Sequence, residues 1–117
     1  MKKRQEPLTE SYFYILLCLY KKPLHGYGIM QEAARLSDGN VKIGSGTMYG
    51  AVSNMLKKGW IEEMENEDPN DSRKKLYRMT LDGKEVLITE IERLQHLLKS
   101  VHEVMGGNAC ENANDEL

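Results

Sequence analysis

A mainly α-helical chain with one small β-hairpin is the fold class the sequence predicts, and three observations predict it. Apolar residues recur at helical spacing in three short stretches between Thr9 and Lys58. Two β-like segments, Trp60–Glu65 and Lys74–Met79, then flank the polar run Asn66-Glu67-Asp68-Pro69-Asn70-Asp71-Ser72, which reads as a hairpin tip. After Thr80, an apolar repeat of the coiled-coil type continues to Met105. Three short helices and a hairpin make a winged helix-turn-helix domain over residues 1–80, followed by a long C-terminal dimerisation helix over 81–107. Residues 108–117 are polar and are expected to form a disordered tail.

Each element has a local reason. Thr9 is a good N-cap for the first helix, and Glu10 sits at the favourable end of the helix dipole. Tyr12, Ile15, Leu16 and Leu19 fall on one face, and Pro23 is expected to stop the helix. His25-Gly26-Tyr27-Gly28 opens a second helix, with Ile29, Ala33 and Leu36 inward, and Ser37-Asp38-Gly39-Asn40 ends it. Val41-Lys42-Ile43 alternates as a very short strand would, and Ser45 is placed to cap the third helix, Thr47–Lys58. Gly59 closes that helix. Thr80 caps the fourth, in which Leu87, Ile91, Leu94, Leu98, Val101 and Met105 follow the a/d spacing, so these six are the expected dimer seam.

Composition excludes several function classes. No apolar run approaches the ~18 residues a membrane helix needs, and the basic start Met1-Lys2-Lys3-Arg4 is not followed by a clean signal core, so a cytoplasmic protein is expected. Cys18 lies in an apolar helix and Cys110 in the polar tail, so neither a disulfide framework nor a four-ligand zinc site is expected. His25, His96 and His102 lack metal-ligand spacing, and no metal or cofactor is expected. No Ser/His/Asp grouping or apolar carboxylate pair points to catalysis, and Gly44-Ser45-Gly46 lacks the Gly-Lys of a P-loop, so the chain is read as a non-enzyme. Residues 1–80 carry 13 Lys/Arg against 10 Asp/Glu and residues 81–117 carry 3 against 8. A basic first part and an acidic last part fit DNA contact through the first alone.

The third helix carries the strongest functional pattern. Met48, Ala51, Val52, Met55 and Leu56 share one side, while Gly46, Gly50, Ser53, Asn54 and Lys57 lie opposite, with Thr47 and Tyr49 at the flanks. A helix anchored by one apolar face and free on a small, polar face can enter the major groove. Ser45, Thr47, Tyr49, Ser53, Asn54 and Lys57 are therefore candidate DNA contacts, Asn54 at a base edge. Arg73, Lys74 and Lys75 on the wing are candidate phosphate contacts. Trp60 is read as hairpin packing and Cys18 as core.

His25-Gly26-Tyr27-Gly28-Ile29, Gly44-Ser45-Gly46-Thr47-Met48-Tyr49, Gly59-Trp60-Ile61-Glu62 and Asp71–Thr80, closed by Gly83, together resemble the PadR family of bacterial transcriptional regulators. The resemblance runs from about Thr9 to about Met105. It implies a homodimer on double-stranded DNA with an inverted-repeat operator, repressing a nearby operon and released by a small-molecule effector. One C-terminal helix implies the short subgroup, whose dimers cross that helix with the partner's. Thr47, Tyr49, Arg73 and Lys74 match the family's contact motifs, and Ser45 replaces a frequent proline. The expected effector pocket combines Tyr12 and Tyr20 of one protomer with Leu94, Leu97 and Leu98 of the other. Residues 81–117 hold no aromatic, and Leu94 stands where one is expected, which argues against stacking flat drugs there. The competing reading is a dimeric winged-helix protein-interaction module that does not read DNA.

Overall fold

The computed structural model describes residues 5–65 and 75–106. Its elements run α1 (Glu10–Cys18), β1 (Leu24–His25), α2 (Gly26–Leu36), α3 (Ser45–Lys58), β2 (Ile61–Met64), β3 (Leu76–Met79) and α4 (Leu81–Met105). This is the expected mainly helical, winged arrangement. Among the described residues, no helix is long and apolar enough to cross a membrane. The hairpin tip, Arg73, Lys74, Cys110 and the tail from 108 lie outside the described residues.

Capping works locally at the starts of the first and last helices. The Thr9 hydroxyl accepts from the Tyr12 backbone N–H at 3.2 Å, and the Thr80 hydroxyl accepts from the Gly83 N–H at 3.1 Å. Helix α1 ends at Cys18, well before Pro23, with the Leu19 N–H shared between the Ile15 and Leu16 carbonyls. The Pro23 stop signal therefore acts on the connecting turn and not on the helix itself.

Three local expectations are corrected. Leu36 is exposed, because the buried position at the end of α2 belongs to Ser37, whose hydroxyl accepts from the Val41 N–H at 2.8 Å. Val41 and Ile43 are buried and Lys42 exposed, as their alternation implies, but they form no strand. The third strand is instead β1, only two residues long, whose Leu24 pairs antiparallel with Tyr77 and His25 with Leu76. The sheet order is β1-β3-β2, with Ile61 opposite Met79 in the hairpin. Ser45 is the first residue of α3, not its cap. Gly44 occupies the cap position with extended backbone and no side-chain hydrogen bond.

The core joins all layers. Ile15 and Leu16 from α1, Ile29 from α2, Met55 from α3, Ile61 from β2 and Leu87 from α4 are fully enclosed. Leu87 therefore leaves the expected dimer seam: it is 1% exposed within a single protomer. Ile91 packs half-buried against the same cluster. Leu97, Leu98, Val101, Val104 and Met105, further along α4, are exposed. The proximal part of α4 thus belongs to the winged-helix core, so residue 81 begins an element without ending that core.

Two features fix where α4 starts. The Thr80 N–H donates to the Trp60 carbonyl at 3.0 Å, and the Thr80 hydroxyl donates to the Gly59 carbonyl. Gly83 lies so close to the Trp60 carbonyl that a Cβ there would collide with it. Close approach of two backbones is what this glycine serves.

Candidate nucleic-acid interface

Helix α3 is held on one side and free on the other. Met48, Ala51, Val52 and Met55 are buried in the core, while Gly46, Thr47, Gly50 and Lys57 are exposed. Tyr49 is 78% exposed and Ser53 half-buried. Gly59 caps the C-terminus at φ +77°, a left-handed conformation that favours glycine, and the Trp60 N–H donates back to the Met55 carbonyl at 3.0 Å. With Thr80 bonded to Gly59, the α3 C-terminus is tied directly to the start of α4.

The helix interior carries an unexplained cost. Gly50 inside α3 weakens the helix by roughly 1 kcal/mol relative to alanine, and Gly46 stands in its first turn. Nothing in the chain lies within 4 Å of a Cβ built at either position, so no intramolecular contact requires glycine there. The two glycines clear a smooth strip between Tyr49 on one side and Thr47 on the other.

The other candidate residues are placed less uniformly. Asn54 does not present its amide to solvent as the wheel implies. It sits at the edge of the face and donates from Nδ2 to the Tyr12 hydroxyl of α1 at 2.9 Å. Lys75 stands on the hairpin with its ammonium 3.5 Å from the Glu63 carboxylate. Arg78 is likewise paired with Glu62 across the two strands. Both pairs are solvent-exposed and weak, so each cation remains available to a stronger anion. The His25 ring Nδ1 lies 3.2 Å from the Lys75 carbonyl oxygen and fastens the start of α2 to the hairpin.

The expected effector residues do not converge within one protomer. Tyr12 is half-buried and bonded to Asn54, and Tyr20 is exposed beneath the Lys84 ammonium, 6.0 Å from its ring centroid. Leu97 and Leu98 face solvent and Leu94 is half-buried. Trp60 packs at the core margin under the Lys58 ammonium, 4.8 Å from its ring centroid. The Cys18 thiol is buried, and burial pushes its pKa up to about 11, which suits a core thiol. Among the described residues, no three His, Cys, Asp or Glu side chains gather as a metal site.

Sequence reasoning missed Glu90, which is 2% exposed. Its carboxylate accepts from Arg93 Nε and Nη2 at 2.6 and 2.9 Å and from the Leu8 N–H at 2.9 Å. The Arg93 hydrogen bond chiefly, and the Leu8 N–H with it, hold its pKa below the usual glutamate value against the opposing effect of burial. The Gln5 amide adds a bond to the Val86 carbonyl at 3.1 Å, so the segment before α1 is strapped onto α4. The i, i+3 spacing of Glu90 and Arg93 is visible in the sequence. Their bond to residue 8 is not.

Residues 15–89 match the transcriptional regulator PadR-like family. The chain belongs to that family. By family it is a transcriptional regulator with a winged-helix fold. No curated protein matches the chain. Among solved structures, a PadR family transcription regulator from Clostridium difficile is 26% identical, with 84% of this chain and 100% of that one covered at a TM-score of 0.66. A transcriptional regulator from Clostridium thermocellum is 22% identical, with 80% and 91% covered at a TM-score of 0.67. PadR of Bacillus subtilis, solved in complex with operator DNA, is 23% identical over 70% of this chain and 45% of that one, at a TM-score of 0.61. The PadR-like chain thus spans less than half of the Bacillus protein but nearly all of the two clostridial ones.

Proposed function

We propose that the chain is a cytoplasmic, homodimeric repressor that reads an inverted-repeat DNA operator through α3. The observation that carries the reading is the outer face of α3: two exposed glycines with nothing beside them, next to exposed Thr47, Tyr49 and Lys57. Such a strip lets a helix backbone approach a groove floor closely. Thr47 and Tyr49 are assigned to base edges, and Ser45 and Lys57 to phosphates. Ser53 contributes from the half-buried flank of α3, and Arg73, Lys74 and Lys75 from the wing.

Dimerisation is assigned to the distal part of α4, where Leu97, Leu98, Val101 and Met105 are exposed in one protomer and Leu94 is half-buried. A two-fold axis through that seam would present two α3 helices to half-sites about one helical turn, ~10 base pairs, apart. A small effector seated between Tyr12 and Tyr20 of one protomer and Leu94, Leu97 and Leu98 of the other would alter the angle between the two α4 helices. The Tyr12–Asn54 hydrogen bond supports this route, because it links that surface directly to α3. A ligand acts this way only if it binds the two dimer geometries unequally.

The pairing of Lys75 with Glu63 and of Arg78 with Glu62 favours one other reading, a dimeric winged-helix interaction module that leaves DNA alone. A gel shift with the region upstream of the protein's own operon separates the two. The repressor reading expects a retarded complex that Lys57→Ala weakens on every sequence, with the salt slope reduced by about 0.9 for one lost phosphate contact. A dimer that retards no DNA supports the module.

A further inference from the structure

A cleft of about 690 Å³ lies between the start of α2, one flank of α3 and the hairpin. That volume falls in the range of small-ligand sites. Its apolar lining is Met30 from α2 and Met48, Val52 and Leu56 from α3. Thioethers of this kind pack favourably against aromatic rings. Tyr27, Tyr49 and Tyr77 also line the cleft. Tyr27 is 69% exposed and Tyr49 78%, so the protomer leaves most of two rings uncovered beside an apolar floor. The fold does not use these rings, and an aromatic guest would.

The polar atoms restrict the guest further. Glu63 and Lys75 both line the cleft, and their charged groups stand 3.5 Å apart. Together they add no net charge, so the cleft as a whole favours neither an anion nor a cation. Hydrogen-bonding capacity comes from the Ser45 and Ser53 hydroxyls, from Tyr77 and from the His25 ring, whose Nδ1 already lies 3.2 Å from the Lys75 carbonyl oxygen. Burial, with Glu63 secondarily, pushes the Tyr77 hydroxyl above its ordinary range, so it stays protonated at neutral pH. The cleft therefore offers ring faces, a thioether floor and neutral hydroxyls.

We propose that this cleft binds a small, neutral, planar aromatic molecule with a polar edge, and that its occupancy opposes DNA binding. The second half rests on the DNA-reading role proposed for α3. Ser45, Tyr49 and Ser53 belong both to the cleft and to the candidate DNA face. A guest stacked on Tyr49 fixes that ring away from the groove. This site is built within one protomer and is separate from any pocket at the dimer seam.

Three probes sharing one ring system test the proposal: naphthol, naphthoate and naphthylmethylammonium. Amide chemical-shift mapping on the full chain should show naphthol binding tightest, with shifts centred on Tyr27, Met30, Tyr49 and Tyr77. Met30→Trp fills the floor from α2, and exposed Tyr27→Ala removes one wall. Each should weaken naphthol roughly tenfold or more, with melting temperature and gel shift retained. Leu98→Asp should bind naphthol as the wild type does. In the gel shift, naphthol should release DNA from the wild type but not from Met30→Trp. Unchanged naphthol affinity in both cleft variants overturns the proposal, as does tighter binding of either charged probe. Loss of the gel shift in Met30→Trp or Tyr27→Ala without any probe also overturns it, because the cleft is then a seat for DNA. A wild type that binds naphthol at these residues but shifts no DNA overturns the reading of α3 and leaves the binding site standing.

Discussion

The two halves of α4 carry the same apolar repeat and put it to opposite uses. In the proximal half, Leu87 is sealed inside the protomer, and Glu90, one turn on, is enclosed with Arg93 and the Leu8 N–H as partners. In the distal half, Leu97 and Leu98 are 49% and 47% exposed, and Val101, Val104 and Met105 face solvent as well. The helix is continuous from Leu81 to Met105, so the change comes from what lies beside it. The proximal half has α1 and the core beside it, and the distal half extends beyond them. A heptad pattern reports that a stripe will be covered. It does not report whether the cover comes from the same chain or from another.

Substitutions along α4 should separate the halves. The largest expected effect on the protomer is at Leu87. Leu87→Ala leaves a cavity in the core and should cost about 2–5 kcal/mol of unfolding free energy in denaturant titration. A cost below about 1 kcal/mol would show that the site is not the closed core position described here. Gly83→Ala comes next, at about 1–3 kcal/mol, because its Cβ must displace the Trp60 backbone. Thermal unfolding checks it, and an unchanged or raised melting temperature would contradict the close approach.

Glu90 should produce a smaller, pH-dependent effect. Its pKa is held below the ordinary glutamate value, chiefly by Arg93. The stability it contributes is therefore fully present above the unfolded-state pKa of about 4.3 and is lost as pH falls through the lower folded-state value. Melting temperatures from pH 7 down to 3 should fall more steeply at the acidic end for wild type than for Glu90→Gln. Parallel curves would rule out this contribution. Leu98→Asp should disturb the protomer least, since its side chain already faces solvent in the single chain. Its effect should be on association: the wild-type melting temperature should rise with protein concentration and the variant's should not. Light scattering that gives one-chain mass for both proteins would remove the distal seam from the account.

Local signals were readable in advance, and long-range ones were not. Thr9 and Thr80 cap as their sequence context implies, and Gly59 ends α3, whereas the alternation of Val41 and Ile43 accompanies no strand. Several misplaced features depend on distant partners. The two-residue β1 exists because β3, some fifty residues on, offers it an edge. Asn54 turns to Tyr12 across 42 residues, and Glu90 is buried because Leu8 lies 82 residues back. Ser45 fails as a cap for a nearer reason, since the extended backbone begins one residue earlier, at Gly44. At the candidate interface, the pattern of α3 was readable because helix periodicity alone sets it. The cleft beside it needed the hairpin and α2 to be brought against Tyr49.

The open face of α3 is proposed to read DNA sequence. Fluorescence anisotropy at physiological salt, comparing the region upstream of the protein's own operon with a scrambled duplex of equal length, tests it most directly. Binding to the upstream region should be at least about 10³-fold tighter. Equal affinity for the two duplexes would contradict it.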